Sequence, residues 1–174
     1  YGSLNLHRPW TRNSHSNFYQ NQDGTPKYTP FVDWMTHKDV GEKTVLFLLD
    51  ALYTSPVVGG RIIEKWDMPP FNNHWPSSLF ASQDGIAIES VGIDFFIANW
   101  PANEDLKHCD MHLTEAALIG NPPSGTSYDP EGDGQNTTSL GVLEHWNNST
   151  EKQYSRNLNP STGKGIELVF TLVK

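Results

Sequence analysis

Residues 78–96 read Ser78-Leu79-Phe80-Ala81-Ser82-Gln83-Asp84-Gly85-Ile86-Ala87-Ile88-Glu89-Ser90-Val91-Gly92-Ile93-Asp94-Phe95-Phe96. The pattern predicts a short buried strand at 79–81, a polar turn at 82–85 and a helix from 86 to 99 that Pro101 stops. Ser82 and Asp84 both carry side-chain oxygens that can cap the helix by accepting backbone N–H bonds. On a helical projection the apolar residues cover nearly the whole circumference. Only Glu89, Ser90 and Asp94 interrupt them, and Ser90 and Asp94 share one face at i, i+4. A helix that is apolar almost all round is normally buried. A buried strand feeding a buried helix is an α/β pattern, in which ligands sit beyond the carboxyl ends of strands. The turn around Asp84 is therefore the first candidate for a site.

Working outward, Thr44-Val45-Leu46-Phe47-Leu48-Leu49 is a continuous apolar run, which suits a strand at 43–49 buried on both faces of a mostly parallel sheet. Asp50 follows it, so Asp50 and Asp84 are expected to meet at one sheet edge. Pro30 opens a short helix at 31–37. Residues 53–78 form a long loop with five large groups, Trp66, Met68, Phe71, His74 and Trp75, too apolar for disorder. Trp66 and Phe71 are expected to cover the core. A second helix is expected at 103–119, with Leu106, Cys109, Leu113, Ala116 and Ala117 inward and His108, His112 and Glu115 towards water. Short strands are expected at 139–142 and 165–173, the latter with alternating apolar residues Ile166, Leu168, Phe170 and Leu172. The expected architecture is α/β: one domain over 1–174, with a mixed, largely parallel sheet, buried helices and long ordered loops.

The charge balance narrows the function. Twelve basic residues against twenty acidic ones give −8, which argues against a nucleic-acid binder with a basic face. No apolar run is long enough to cross a membrane. The lone Cys109 excludes an internal disulfide and a cysteine-ligated iron–sulfur cluster within this chain. A polar remainder rich in Asn, Ser and Thr suits an exported protein with many loops.

Other candidate groups lie in polar-aromatic clusters. His7, Arg8, His15 and Trp10 occupy a loop that can line an anion site or be a solvated surface. His74-Trp75 immediately precede the organising strand, and Glu144-His145-Trp146-Asn147-Asn148 is too polar to bury unless each group finds a partner. Arg156 can pair Asp50 or Asp84, or bind an anion. His108 and His112 at i, i+4 have chelating spacing, against the reading that they face water. Asp129-Pro130-Glu131-Gly132-Asp133-Gly134 has the alternating acids of a calcium loop, but its twelfth position is Leu140 rather than Glu. Asp129, Glu131 and Asp133 are the candidate ligands for a divalent metal ion; a solvated acidic turn is the plainer reading.

The stretch 82–92 resembles the "S-x-D-P-V-A-x-D-S-V-G" signature of the bacterial family known as domain of unknown function 362. Gly85 replaces the usual Pro and Glu89 the usual Asp. Tyr1-Gly2-Ser3-Leu4, Pro122-Pro123-Ser124-Gly125-Thr126, Ser139-Leu140-Gly141-Val142 with Glu144–Asn148, and Tyr154-Ser155-Arg156-Asn157-Leu158 resemble further motifs of an exported subgroup. The resemblance implies an α/β architecture, an exported protein in the periplasm or outside the cell, and no established activity. It also implies that the chain is the C-terminal part of a longer protein whose missing N-terminal part is a partner. Two functions are expected. One is an enzyme with an acid–base or metal-assisted site for a small polar or anionic substrate, built from Asp50, Asp84, Arg156 and a histidine (His7, His74 or His145). The other is a non-catalytic carbohydrate-binding or structural module of a larger exported assembly, using Trp10, Trp75, Trp146 and Asn147.

Overall fold

Two strands, β1 (Phe47–Ala51) and β2 (Ser78–Ser82), pair antiparallel, with Phe47 opposite Ser82 and Asp50 opposite Leu79. The computed structural model describes residues 28–56, 62–103, 110–135 and 137–173. Among these, the ribbon is the only sheet, so the largely parallel, mixed sheet expected from the sequence is not formed. Parallel strands require a crossover, usually helical. The described residues of the connection at 53–78 supply none; they are pinned by antiparallel bridges at Thr54–Glu64 and Trp66–His74. The apolar run in β1 is covered on one face only. Phe47 and Leu49 turn towards the following helix, whereas Leu48 is 61 % exposed and Leu46 and Leu79 are also exposed.

The chain divides into two compact units. The described part of one comprises 45–56, 62–103 and 141–173. Its helix α2 (Gly85–Asn99) follows β2 as the sequence predicts, and Asp84 is its N-cap, accepting the N–H groups of Ile86 and Ala87 at 2.9 Å each. The second Asp84 oxygen accepts the Val142 N–H at 2.8 Å. Gly141 lies against that carboxylate so closely that a Cβ would sit 2.1 Å from Oδ1. The helix packs into a core of Trp66, Met68, Val91, Phe95, Tyr154 and Ile166. Phe71 packs against that core, its ring edge to face with Trp66 at 4.7 Å. The predicted ordering of the long loop thus rests on aromatic burial, each such ring contributing several kcal/mol when truncated, about 3–5 by core mutations.

The C-terminal stretch joins no ladder, contrary to the expected strand at 165–173, and 139–142 is also not a strand. A short helix, α4 (Ser155–Leu158), takes its place as anchor. The Asn157 amide there bonds both the C=O and the N–H of Leu168, at 3.0 and 2.9 Å. Beyond it Val169, Phe170, Leu172 and Val173 are exposed.

The described part of the other unit comprises 28–44, 110–135 and 137–140. Helix α1 (Pro30–Thr36) packs against α3 (Met111–Ala117). The sequence reading put His112 and Glu115 on a water-facing side; both are buried, Glu115 almost completely. Glu115 accepts from the Ser124 N–H at 2.8 Å, the Ser124 hydroxyl at 2.7 Å and the Tyr128 hydroxyl at 3.0 Å. These donors offset the desolvation that the periodicity argument took as forbidding. Tyr128 also accepts the Thr29 N–H and stacks on Tyr28. No helix among the described residues is long and apolar enough to cross a membrane.

Two expected outcomes follow from these contacts. Asp84→Ala removes both the cap and the tie to Val142, and should lower unfolding free energy by about 2 kcal/mol in a denaturant titration; a loss under about 0.5 kcal/mol would show that neither bond matters. Burial pushes the Tyr128 phenol up to about 12, the Thr29 N–H opposing and Glu115 adding to the rise. Its folded value exceeds its unfolded value near 10, so its contribution is intact below pH 10 and is lost as the pH rises from about 10 to about 12. The Tyr28 and Tyr154 phenols are also pushed up and titrate in both proteins, so wild type should lose roughly 2–3 kcal/mol more than Tyr128→Phe across that window, as read by denaturant unfolding at each pH.

Candidate functional site

Asp94 lies in the middle of α2, on the face it shares with Ser90, and is 6 % exposed. A carboxylate placed in such a helix must find donors from elsewhere in the chain. Three arrive. His145 Nδ1 lies 2.6 Å from Oδ1, and the Trp146 N–H and the Tyr154 hydroxyl donate to Oδ2 at 3.0 and 2.7 Å. The His145 side chain itself is 44 % exposed. Burial, with the bond to Asp94 adding to it, pushes the Tyr154 phenol far above its ordinary value, so it stays protonated as a donor.

The imidazole is positioned by a row of bonds along one helix. Val142 N–H reaches Asp84, the Ser90 hydroxyl donates to the Glu144 carbonyl, and residues 145 and 146 meet Asp94. Glu144 in turn accepts the Ser155 N–H at 2.8 Å, the Ser155 hydroxyl and the Ile166 N–H. Gly165 packs so tightly there that a Cβ would overlap Glu144 Oε2, at 1.8 Å. The Lys152 ammonium sits over Trp146, 5.8 Å from the ring centroid. Trp146 itself packs edge-on to Phe95 at 5.0 Å.

The other sequence candidates do not converge. Antiparallel pairing puts Asp50 and Asp84 at opposite ends of the ribbon, instead of at one edge: Asp50 faces Leu79, five positions before Asp84. Asp50 is exposed and accepts the Leu52 N–H at 2.9 Å. It also borders a pocket of about 260 Å³ whose walls include Tyr53, Trp66, Phe80 and Phe95. Arg156 pairs with Glu167 at 3.7 Å, rather than with either aspartate. His74 is exposed and meets Trp66 through its backbone. Trp75 packs on Tyr53 with Lys65 over its ring, and Trp146 belongs to the core cluster, so these two form no flat exposed strip. Asn147 closes its own loop by accepting the Asn148 and Gln153 N–H groups. His7 and Trp10 lie outside the described residues.

In the acidic loop, Asp129 accepts the N–H groups of Asp133 and Gly134, Asp133 accepts that of Gln135, and Glu131 pairs with Lys38 at 2.8 Å and with His37. The Lys38 bond holds the Glu131 carboxyl below its usual range. No group of three or more His, Cys, Asp or Glu side chains among the described residues is placed to hold a metal ion.

Of the centre around Asp94, the sequence pointed to His145 and Trp146 but missed Asp94 and Tyr154. The available signal was the polar pair Ser90 and Asp94 inside a helix otherwise apolar all round. Compared with protein-family models, with curated proteins and with solved structures, the chain matches none.

Proposed function

We propose that the protein is an enzyme whose acid–base group is His145, acting on a small polar substrate. One observation carries the reading: a buried carboxylate lies 2.6 Å from Nδ1 of a half-exposed imidazole. In the neutral ring such a bond places the proton on Nδ1, which makes Nε2 the proton-accepting atom. When Nε2 takes a proton, the positive ring is stabilised by the Asp94 carboxylate next to it. The orienting acid need not itself change protonation. Tyr154 and the Trp146 N–H keep the carboxylate aimed, so the ring does not have to search rotamers during a reaction. The resemblance to domain of unknown function 362 stays part of this proposal. It is supported by the meeting of three of its motif stretches, 82–92, 144–148 and 154–158, around α2.

The test requires no substrate. Diethyl pyrocarbonate acylates an unprotonated imidazole nitrogen. In alkaline buffer, where imidazoles are unprotonated, His145 should react faster than exposed His74, and Asp94→Ala should slow His145 by about tenfold while leaving His74 unchanged. Nitrogen-15 spectra of labelled histidine should show the Nδ1–H tautomer at His145 in wild type and a mixture in Asp94→Ala. Equal reactivity of the two histidines, with a mixed tautomer in wild type, would falsify the acid–base reading.

A second reading, a structural part of a larger assembly, rests on a different observation. Val45, Leu46, Leu48, Leu79 and, on the tail, Phe170, Leu172 and Val173 leave an unusual amount of apolar surface in water. If the outer ribbon face is uncovered, Leu48→Ser with Leu79→Ser should change stability by no more than about 0.5 kcal/mol and weaken retention on a hydrophobic column. A large drop in melting temperature would show that these side chains are already packed.

A further inference from the structure

Lys152 is 8 % exposed, and lysine is rarely buried to that degree unless paired. No carboxylate pairs with it among the described residues. Its ammonium instead lies over the Trp146 indole, 5.8 Å from the centroid. The nearest acid in the chain, Glu151, is taken up by the side-chain amides of Asn147 and Asn148. The backbone at Lys152 is left-handed, with φ of 54°, a conformation that a residue with a side chain adopts only when its surroundings enforce it. Here the surroundings are a loop closed by Asn148: its Oδ1 accepts the Thr150 and Glu151 N–H groups, and its C=O accepts the Lys152 N–H at 2.9 Å. The same loop begins at His145 and Trp146, and ends at Tyr154, the residues gathered on Asp94.

We propose that Lys152 is an amine nucleophile that captures aldehydes or ketones as an imine, on the loop that also carries His145. The inference rests on the acid–base reading of His145 for its proton transfers. Burial without a carboxylate partner, which pushes the ammonium towards the free amine, supports it. In the step, the amine nitrogen lone pair forms a bond to the carbonyl carbon, and the carbonyl π pair moves to oxygen. A proton passes from nitrogen to that oxygen, giving a carbinolamine. A second proton delivered to the hydroxyl lets it leave as water, and the nitrogen lone pair closes the C=N bond. Nothing is oxidised or reduced. In this proposal His145, on the same loop, carries both protons.

The experiment is reductive trapping on the wild-type chain. Propanal at low concentration with cyanoborohydride converts an imine to a stable propyl amine, which intact mass and peptide mapping then locate. The expected result is one adduct, at Lys152, formed about tenfold faster than at the exposed Lys38 and Lys43. Its loss in Lys152→Arg, with the circular dichroism spectrum unchanged, agrees with this. An unlabelled Lys152, or one labelled no faster than Lys38 and Lys43, overturns the inference while leaving the His145 reading to its own test. In His145→Gln, trapping at Lys152 should slow about tenfold. Fast trapping that survives this change keeps Lys152 as the nucleophile and removes His145 as its proton carrier.

Discussion

A carboxylate buried in the middle of a helix is the constraint on which the rest of the larger helix's surroundings depends. Removing Asp94 from water without donors would carry a desolvation penalty of several kcal/mol. Helix α2 can bury Val91 and Phe95 against Trp66 only if Asp94 goes in with them. The penalty is offset only when the Trp146 N–H, the Tyr154 hydroxyl and His145 arrive together, and they come from 51 to 60 residues further along the chain. The segment at 142–146 has no strand ladder to order it. It is ordered because it carries the donors that α2 needs. The site and the fold are therefore the same set of bonds. An exposed, oriented imidazole is what results when one of the three donors is a histidine at the surface.

Carboxylates play a related part elsewhere. Glu144 gathers two backbone N–H groups and a hydroxyl, Asp84 gathers three N–H groups, and Glu115 takes an N–H and two hydroxyls. The described residues contain little regular structure beyond four helices and one ribbon. In such a chain the backbone groups that would sit in ladders need other partners. Acidic side chains supply them as acceptors, and hydrogen bonds to ionised groups are stronger than neutral ones, about 1.5–3 kcal/mol each. Several of the twenty acids that give the chain its net −8 are structural acceptors rather than a field for partners.

What the sequence disclosed follows from the range of the interactions. The turn at 82–85, the Asp84 cap and the helix to Asn99 are local, set by contacts within a few residues, and the reading of them agrees with the structure. Trp66 and Phe71 were legible as core residues because nothing but burial accounts for that density of rings in a loop. Sheet direction was not legible. An apolar run such as 44–49 looks the same whether it is covered on both faces or on one, and Leu48 shows that it is covered on one. Once the pairing is antiparallel, the two strand-end aspartates separate, and the site expected between them goes with the parallel sheet.

The same logic explains why periodicity misplaced His112 and Glu115. They, like Ser90 with Asp94 inside the buried helix, occupy a helix face that a polarity rule alone sends to water. Both faces are buried. A polarity rule weighs the cost of desolvation and cannot see the donors that offset it, because those donors lie in segments with no period of their own. Ser124, Tyr128, His145 and Tyr154 are such donors. A polar residue interrupting an otherwise apolar helix is thus better read as a demand for a distant partner than as a solvent-facing position. In this chain, following that demand from Asp94 leads to the imidazole, and from the imidazole along the same loop to the amine at Lys152.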